Sequence, residues 1–260
     1  MHSPTSQLDM AEVSCKLLDL TLPSPIENLA LDEALLEDLE ENESHPVLRL
    51  WESDRHFVVL GRSSSLTEDV HLDACEQHAI PILRRASGGG TVLQGPGCLS
   101  YAVVLPLRLH ADLRDIRLTN RFMLQRIAEA LSRWQPTIAI QGISDLTVKG
   151  RKISGSAQRR TRKSLLFHGT ILYRMHARII SLYLKQPKRQ PDYRADRPHG
   201  DFLRTIDAPL HEMKQAIANA WNVKTELELW PRSRMSAAIT NVAERSDSQE
   251  AKTTVIPRRQ

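Results

Sequence analysis

From Asp145 the chain reads DLTVKGRKISGSAQR, two alternating runs meeting at Lys149-Gly150, which is the pattern of a β-hairpin. SLLFHGTILYRM follows as a further strand, interrupted by the pair His168-Gly169. Upstream, PVLRLWES and HFVVLGR alternate like strands, the second closed by Gly61, and LSYAVVLPL is a strongly apolar strand. Hairpin-like neighbours of this kind argue against regular β-α-β alternation. They predict an α+β fold with a mixed or antiparallel sheet flanked by helices.

The helices follow from apolar spacing. Leu29, Leu31, Leu35, Leu36 and Leu39 stand at helical intervals after Ser24 and Pro25, a favourable helix start. Asn120 to Trp134 is amphipathic, with Phe122, Leu124, Ile127, Leu131 and Trp134 near one stripe. TEDVHLDACEQHAI reads as one helix N-capped by Thr67, PILRRAS as a strand, and ISLYLK and LHEMKQAIANAWN as helical pieces. No fixed-period repeat is present. The 260 residues are expected to form a loose lead-in over 1–14, one globular domain over 12–230, and a disordered polar tail over 231–260.

Composition narrows the function. No apolar run approaches the ~20 residues of a membrane span, and no secretory signal is readable, so a cytoplasmic protein without membrane contact is expected. Cys15, Cys75 and Cys98 are odd in number and form no CxxC pair, against both a disulfide framework and a zinc site. Lys149 to Ser164, KGRKISGSAQRRTRKS, holds seven Lys or Arg and no acid, in a chain of net charge +4. Such a stretch suits a nucleotide phosphate or an acidic protein. Nucleic acid is not expected, because aromatic residues make up only 5% of the chain and none interleaves with these cations.

Three stretches are candidates for chemistry. Gly88, Gly89 and Gly90 follow Arg84, Arg85 and Ser87. Glycines let main-chain N–H groups approach an anion, and arginines beside them can hold a carboxylate or phosphate; a structural turn is the other reading. The spacing matches neither a Walker A loop nor GxGxxG. Lys152 falls on the strand face opposite Ile153, either as a solvated residue or as a cation aimed at a phosphate or a developing carbonyl charge. Ser154, Gly155 and Ser156 beside it would allow another backbone to come close. His168-Gly169 sits within an apolar strand, either as a half-buried histidine or as part of a site. Arg194, Arg197, His199 and Asp201 cluster in QPDYRADRPHGDFLRTI, a docking surface for an acidic domain or a solvated loop.

Taken in order, RRASGGG, DLTVKGRKISG and HGTIL resemble the lipoate-protein ligase A family, within the biotin/lipoate A/B protein ligase superfamily. ENLALDEALL resembles that family's opening helix, and the likeness runs over about residues 20–175. The resemblance implies a single biotin/lipoate-ligase-like catalytic domain, with no C-terminal accessory domain in a chain of this length. It also implies ATP and Mg²⁺ as cofactors, lipoate or a medium-chain relative as substrate, an acyl-adenylate intermediate, and transfer to a lysine of an apo lipoyl domain or other lipoate-carrier protein. By the same resemblance Lys152 binds the acyl carbonyl and the adenylate phosphate. Arg84 to Gly90 wall the site, Asp145 lies near adenosine and metal, and Ser154, Gly155, His168, Gly169 and Thr170 border the pocket.

Octanoyltransferases of the same superfamily pass the acyl group through a cysteine thioester. In the version most like this chain that cysteine precedes the GRKISG-like motif. Here the corresponding loop, Gln135 to Ser144, contains none. Cys98, just after the glycines, keeps a transferase reading open, and a non-catalytic lipoate-binding module is a third. Where ligases carry His-Asp after the glycines this chain has Gln94-Gly95, a departure at the expected nucleotide and metal contacts. A small separate accessory subunit for adenylation is a corollary of the short C-terminal part.

Overall fold

Lys149 and Gly150 both take positive φ, 51° and 71°. That is the requirement of a two-residue mirror-image turn, whose twist matches that of paired strands. The hairpin expected from sequence therefore forms, within a computed structural model that describes residues 13–248.

The chain begins with β1 (Lys16–Asp19), α1 (Pro25–Asn42), β2 (Val47–Trp51), β3 (Phe57–Leu60), α2 (Leu66–Asp69) and α3 (Leu72–Gln77). Next come β4 (Ile82–Arg84), β5 (Val92–Gln94), β6 (Cys98–Pro106), α4 (Ile116–Leu131), β7 (Ile138–Gln141) and β8 (Asp145–Val148). The remainder is β9 (Arg151–Arg160), β10 (Ser164–Leu172), α5 (Ala177–Tyr183), α6 (His199–Phe202), α7 (Leu210–Ala220) and α8 (Met235–Asp247). Seven strands form one sheet in the order β1-β2-β6-β10-β9-β8-β7, antiparallel except for the β1–β2 pair. A smaller sheet, β4-β3-β5, is also mixed. The α+β expectation is met.

The central strand explains the layering. Every residue of β6 is buried, because both faces of the sheet are covered. Leu99, Tyr101, Val103 and Leu105 join a core with α4 and α7, while Ala102 and Val104 pack with the leucines of α1. Helix α1 starts as its sequence dictates: Ser24 and Glu27 form a reciprocal capping box and Pro25 opens the first turn. All five of its expected core leucines are buried.

Four local expectations change. The helix read over TEDVHLDACEQHAI divides into α2 and α3, and the cap is Ser65 rather than Thr67. Val70 leaves the helix to bridge Leu184, fully buried. Helix α4 begins four residues before Asn120, because the Asp115 carboxylate accepts from the N–H groups of Arg117 and Leu118. Gln135–Ser144, read as a loop, contains the edge strand β7, whose Ile138 and Ile140 are only partly covered.

The fourth change is the polar tail expected over 231–260. Met235–Asp247 is helical, and Ala238 and Val242, four apart, are buried against Leu29, Ala34, Phe57 and Val59. Met235 and Ile239 pack partly against the same cluster, and the polar residues between these positions hide the stripe in the average composition. Residues 249–260 of that expected tail, and 1–12 of the lead-in, lie outside the described residues. Val13, also within the expected lead-in, is buried in the main core.

Candidate active site

Arg85 organises the glycine loop. Its Nη2 donates to the carbonyls of Gly88 (2.6 Å) and Gly90 (2.8 Å), its Nε to Ser87 Oγ (3.0 Å), and its Nη1 to Val59 O (3.3 Å). Gly89 takes φ +86°, and a Cβ there would lie 2.9 Å from Arg85 Nη2. Conformation and space thus both require glycine at this position. A Cβ on Gly61 would lie 2.0 Å from Gly89 O, so the turn after β3 and the glycine loop meet backbone to backbone. Arg84 serves that turn: its Nη1 donates to the carbonyls of Gly61 (2.6 Å), Ser64 (3.0 Å) and Arg62 (3.3 Å), while its Nε and Nη2 are buried with no hydrogen-bond partner among the described residues.

The N–H groups of this pair that are engaged go to protein oxygens, most of them main-chain carbonyls. Neither lines the main cavity. Their N–H groups stiffen two loops that do, because a guanidinium can satisfy several carbonyls at once.

Lys152 sits where strand β9 is irregular. Thr147 opposes Lys152 and Leu146 opposes Ser154, so Ile153 is an extra residue, a bulge, with its side chain fully buried in the core. Lys152 faces the other way, as alternation predicts. Its Nζ lies 2.8 Å from Asp145 Oδ1, and Asp145 Oδ2 accepts from the Tyr193 hydroxyl at 2.7 Å. Burial and the neighbouring carboxylate push the Tyr193 phenol well above its ordinary value, so it remains a donor. A Cβ on Gly155 would come within 2.5 Å of Lys152 Nζ. The space that glycine leaves is occupied by the lysine's own amine, not by another backbone.

Gly89, Gly90 and Lys152 line one cavity of about 570 Å³. Its apolar wall, including Leu93, Leu172, Ile180, Leu184, Phe202 and Leu203, belongs to a single core cluster. Its polar wall includes Ser63, Ser64, Ser65, Lys152, Lys185 and Arg194. A size of this order and an apolar surface with a few convergent polar groups suit a small amphiphilic molecule. Ser154, Gly155 and Thr170 also line it.

Other expected site residues lie elsewhere. His168 Nε2 is 2.6 Å from Ser87 Oγ, behind the loop. Desolvation, with the Arg85 guanidinium beside it, pushes this imidazole down to about 3, which keeps it neutral. Gly169 faces the opposite side of the sheet, where a Cβ would meet the Tyr101 hydroxyl at 2.6 Å. Asp145 is occupied by Lys152 and Tyr193, where a metal was expected, and among the described residues no group of three His, Cys, Asp or Glu converges to hold one. Cys98 is 1% exposed and off the cavity lining, and burial pushes its thiol up to about 12, the reverse of an activated nucleophile.

Sequence reasoning missed two supports. The segment 190–206, read as a docking surface or a solvated loop, helps build the cavity: Tyr193 anchors Asp145, Arg194, His199, Phe202 and Leu203 line the cavity, and Arg204 N donates to Lys152 O. Helix α8 braces the glycine loop from behind, since Arg84 N donates to Ser246 Oγ and buried Glu33 receives both Arg245 and Arg159. The phenylalanine and leucine near a helix-like HGDF carried the first signal; nothing local marked the second.

Residues 24–222 match the lipoyl protein ligase A/B catalytic-domain family. The chain is 31% identical over 185 residues to octanoyltransferase LipM of an Exiguobacterium species, covering 62% of this chain and 67% of that one. It is 28% identical over 171 residues to a probable lipoate-protein ligase A of Mycoplasma pneumoniae, 65% of this chain and 49% of the relative, so it spans about half that ligase's length. A bipartite lipoate protein ligase from Thermoplasma acidophilum shares the fold, with a TM-score of 0.77 at 21% identity over 91% of this chain and 97% of the other.

Proposed function

The chain belongs to the lipoyl protein ligase A/B catalytic-domain family, and on that premise we propose that it is an ATP-dependent acyl ligase. It activates lipoate, or a medium-chain acid such as octanoate, and passes the acyl group to a lysine of an apo lipoyl domain. One observation carries this reading: the Lys152 amine and the Gly89-Gly90 backbone share a cavity whose described lining includes no cysteine.

The chemistry needs little else. In the first half an oxygen of the acid attacks the α-phosphate of ATP and pyrophosphate departs. In the second the acceptor amine attacks the acyl carbon and AMP departs. Negative charge develops on phosphate and carbonyl oxygens in turn, so a fixed ammonium beside both lowers each barrier. Lys152 supplies that ammonium, Asp145 and Tyr193 fix its position, and the apolar wall takes the acyl chain out of water. The glycine loop gives its Gly88 and Gly90 carbonyls to Arg85, which leaves donors rather than acceptors for an anion. Magnesium would travel with the nucleotide, on its phosphate oxygens and retained waters rather than in a protein cage.

Identity to an octanoyltransferase favours a second reading, transfer from an acyl carrier through a cysteine thioester. Burial of Cys15, Cys75 and Cys98 speaks against it. The test offers wild type and Cys98→Ser an apo lipoyl domain with lipoate, ATP and Mg²⁺, or with octanoyl-carrier protein and no ATP. Mass spectrometry should find the acceptor acylated in the first mixture only, with Cys98→Ser within about twofold of wild type. ATP-independent transfer that disappears in Cys98→Ser would replace the ligase reading. Adding a cell extract of the source organism tells whether a separate accessory subunit contributes to adenylation.

A further inference from the structure

Arg194 is 4% exposed, and its Nη2 is buried without a hydrogen-bond partner among the described residues while the residue lines the cavity. Its guanidinium is fixed from behind: Nε donates to Arg197 O at 3.0 Å, and Cζ lies 4.5 Å from the centroid of the Phe202 ring. An unsatisfied donor on a buried cation is costly. Arg84 also carries orphaned donors, but away from this cavity; at Arg194 the orphan belongs to a residue of the cavity lining, where a ligand can complete it.

Resting on the ligase reading above, we infer that Arg194 is a ligand-binding residue whose free Nη2 takes a phosphate oxygen of the bound nucleotide. Two observations favour phosphate over the carboxylate of the acid. The cavity lining carries five cationic side chains, Lys152, Lys185, Lys188, Arg189 and Arg194, against the two carboxylates of Glu68 and Asp69, an excess suited to a polyanion. The acid loses its charge on activation, whereas the phosphate stays anionic through both half-reactions, matching a guanidinium that is always charged. His199, beside it on the lining, is held neutral with its imidazole down at about 4 by desolvation and by Arg194, and adds no competing charge.

Methionine in place of Arg194 keeps the stem that packs on Phe202 and removes the unsatisfied charge. Calorimetry of ATP, AMP and lipoate binding to wild type, Arg194→Met and Arg194→Lys, with melting of each ligand-free protein, tests the assignment. Arg194→Met should bind ATP and AMP at least about tenfold more weakly, bind lipoate within about twofold of wild type, and melt no lower than wild type. Arg194→Lys should recover part of the nucleotide affinity. Unchanged nucleotide affinity in Arg194→Met overturns the inference, as does a loss confined to lipoate. If Arg194→Met does not fold, full wild-type nucleotide affinity in a folded Arg194→Lys overturns it, and a weakened one supports it. A wild type that binds no nucleotide instead removes the ligase reading.

Discussion

Arg85 and Lys152 are both cations in glycine-rich motifs at the edge of one cavity, and the fold uses them differently. Arg85 is 8% exposed, and its donors reach the main chain of Val59, Gly88 and Gly90 and the Ser87 hydroxyl. Lys152 reaches one carboxylate, and its side chain is 24% exposed to the cavity. A cation satisfied by carbonyls holds a shape; a cation left half-satisfied in a cavity is available to a ligand. The residue type is the same kind of charge in both, and the partner atoms decide the role.

Exchanging each for methionine puts the largest strain on that contrast. Lys152→Met should reduce acyl transfer about 10³-fold while shifting stability by only about 1 kcal/mol. Arg85→Met takes the donor from one buried carbonyl, that of Val59, and from two part-buried ones, those of Gly88 and Gly90, and should cost about 3 kcal/mol, read as a lower denaturant midpoint at constant slope. If the activity and stability losses fall on the opposite residues, the contrast is broken.

Gly155→Ala sharpens it. The added Cβ would come within 2.5 Å of Lys152 Nζ and 2.7 Å of its Cε, the far end of a flexible side chain. The lysine moves and the fold stays. Transfer should fall roughly tenfold or more, with the melting temperature nearly unchanged; undiminished transfer would show that the amine need not lie across this glycine.

The smallest expected effect is on pH. His168, pressed by desolvation and Arg85, stays neutral in the folded protein down to about 3, whereas unfolded it binds a proton below about 6.5. The unfolded state therefore binds more protons between those values, and stability falls as pH falls through that window and is flat above it. Between pH 7 and about pH 5.5 the loss should be about 1 kcal/mol, and His168→Gln should have a shallower slope in denaturation at a series of pH values. Equal slopes would detach this histidine from the Arg85 scaffold.

Much of this was legible in the sequence because it is set by neighbours along the chain. The hairpin at Lys149-Gly150 needs only two residues that accept positive φ, and α1 needs only Ser24, Pro25, Glu27 and a leucine stripe. Lys152 faced the side alternation gave it, despite the bulge at Ile153, because that bulge pushes the extra residue into the core. The ordered motifs identified the family. What pattern reading mistook were elements whose stabilising partners are remote: α8, seated by Ala238 and Val242 on α1 and β3, and the helix read from Thr67 on, interrupted where Val70 pairs with Leu184.

The role of each charged group was decided only by tertiary structure. Sequence put Arg84, Arg85, Asp145, Lys152 and His168 in motifs, since short-range patterns fix which residue types occur together. Which of them meet carbonyls and which meet empty space depends on strands far apart in the chain: Arg85 Nη1 on Val59 of β3, Asp145 on Tyr193, His168 against Ser87. Hydrogen bonds act over about 3 Å, and no linear pattern places groups from distant segments within that reach.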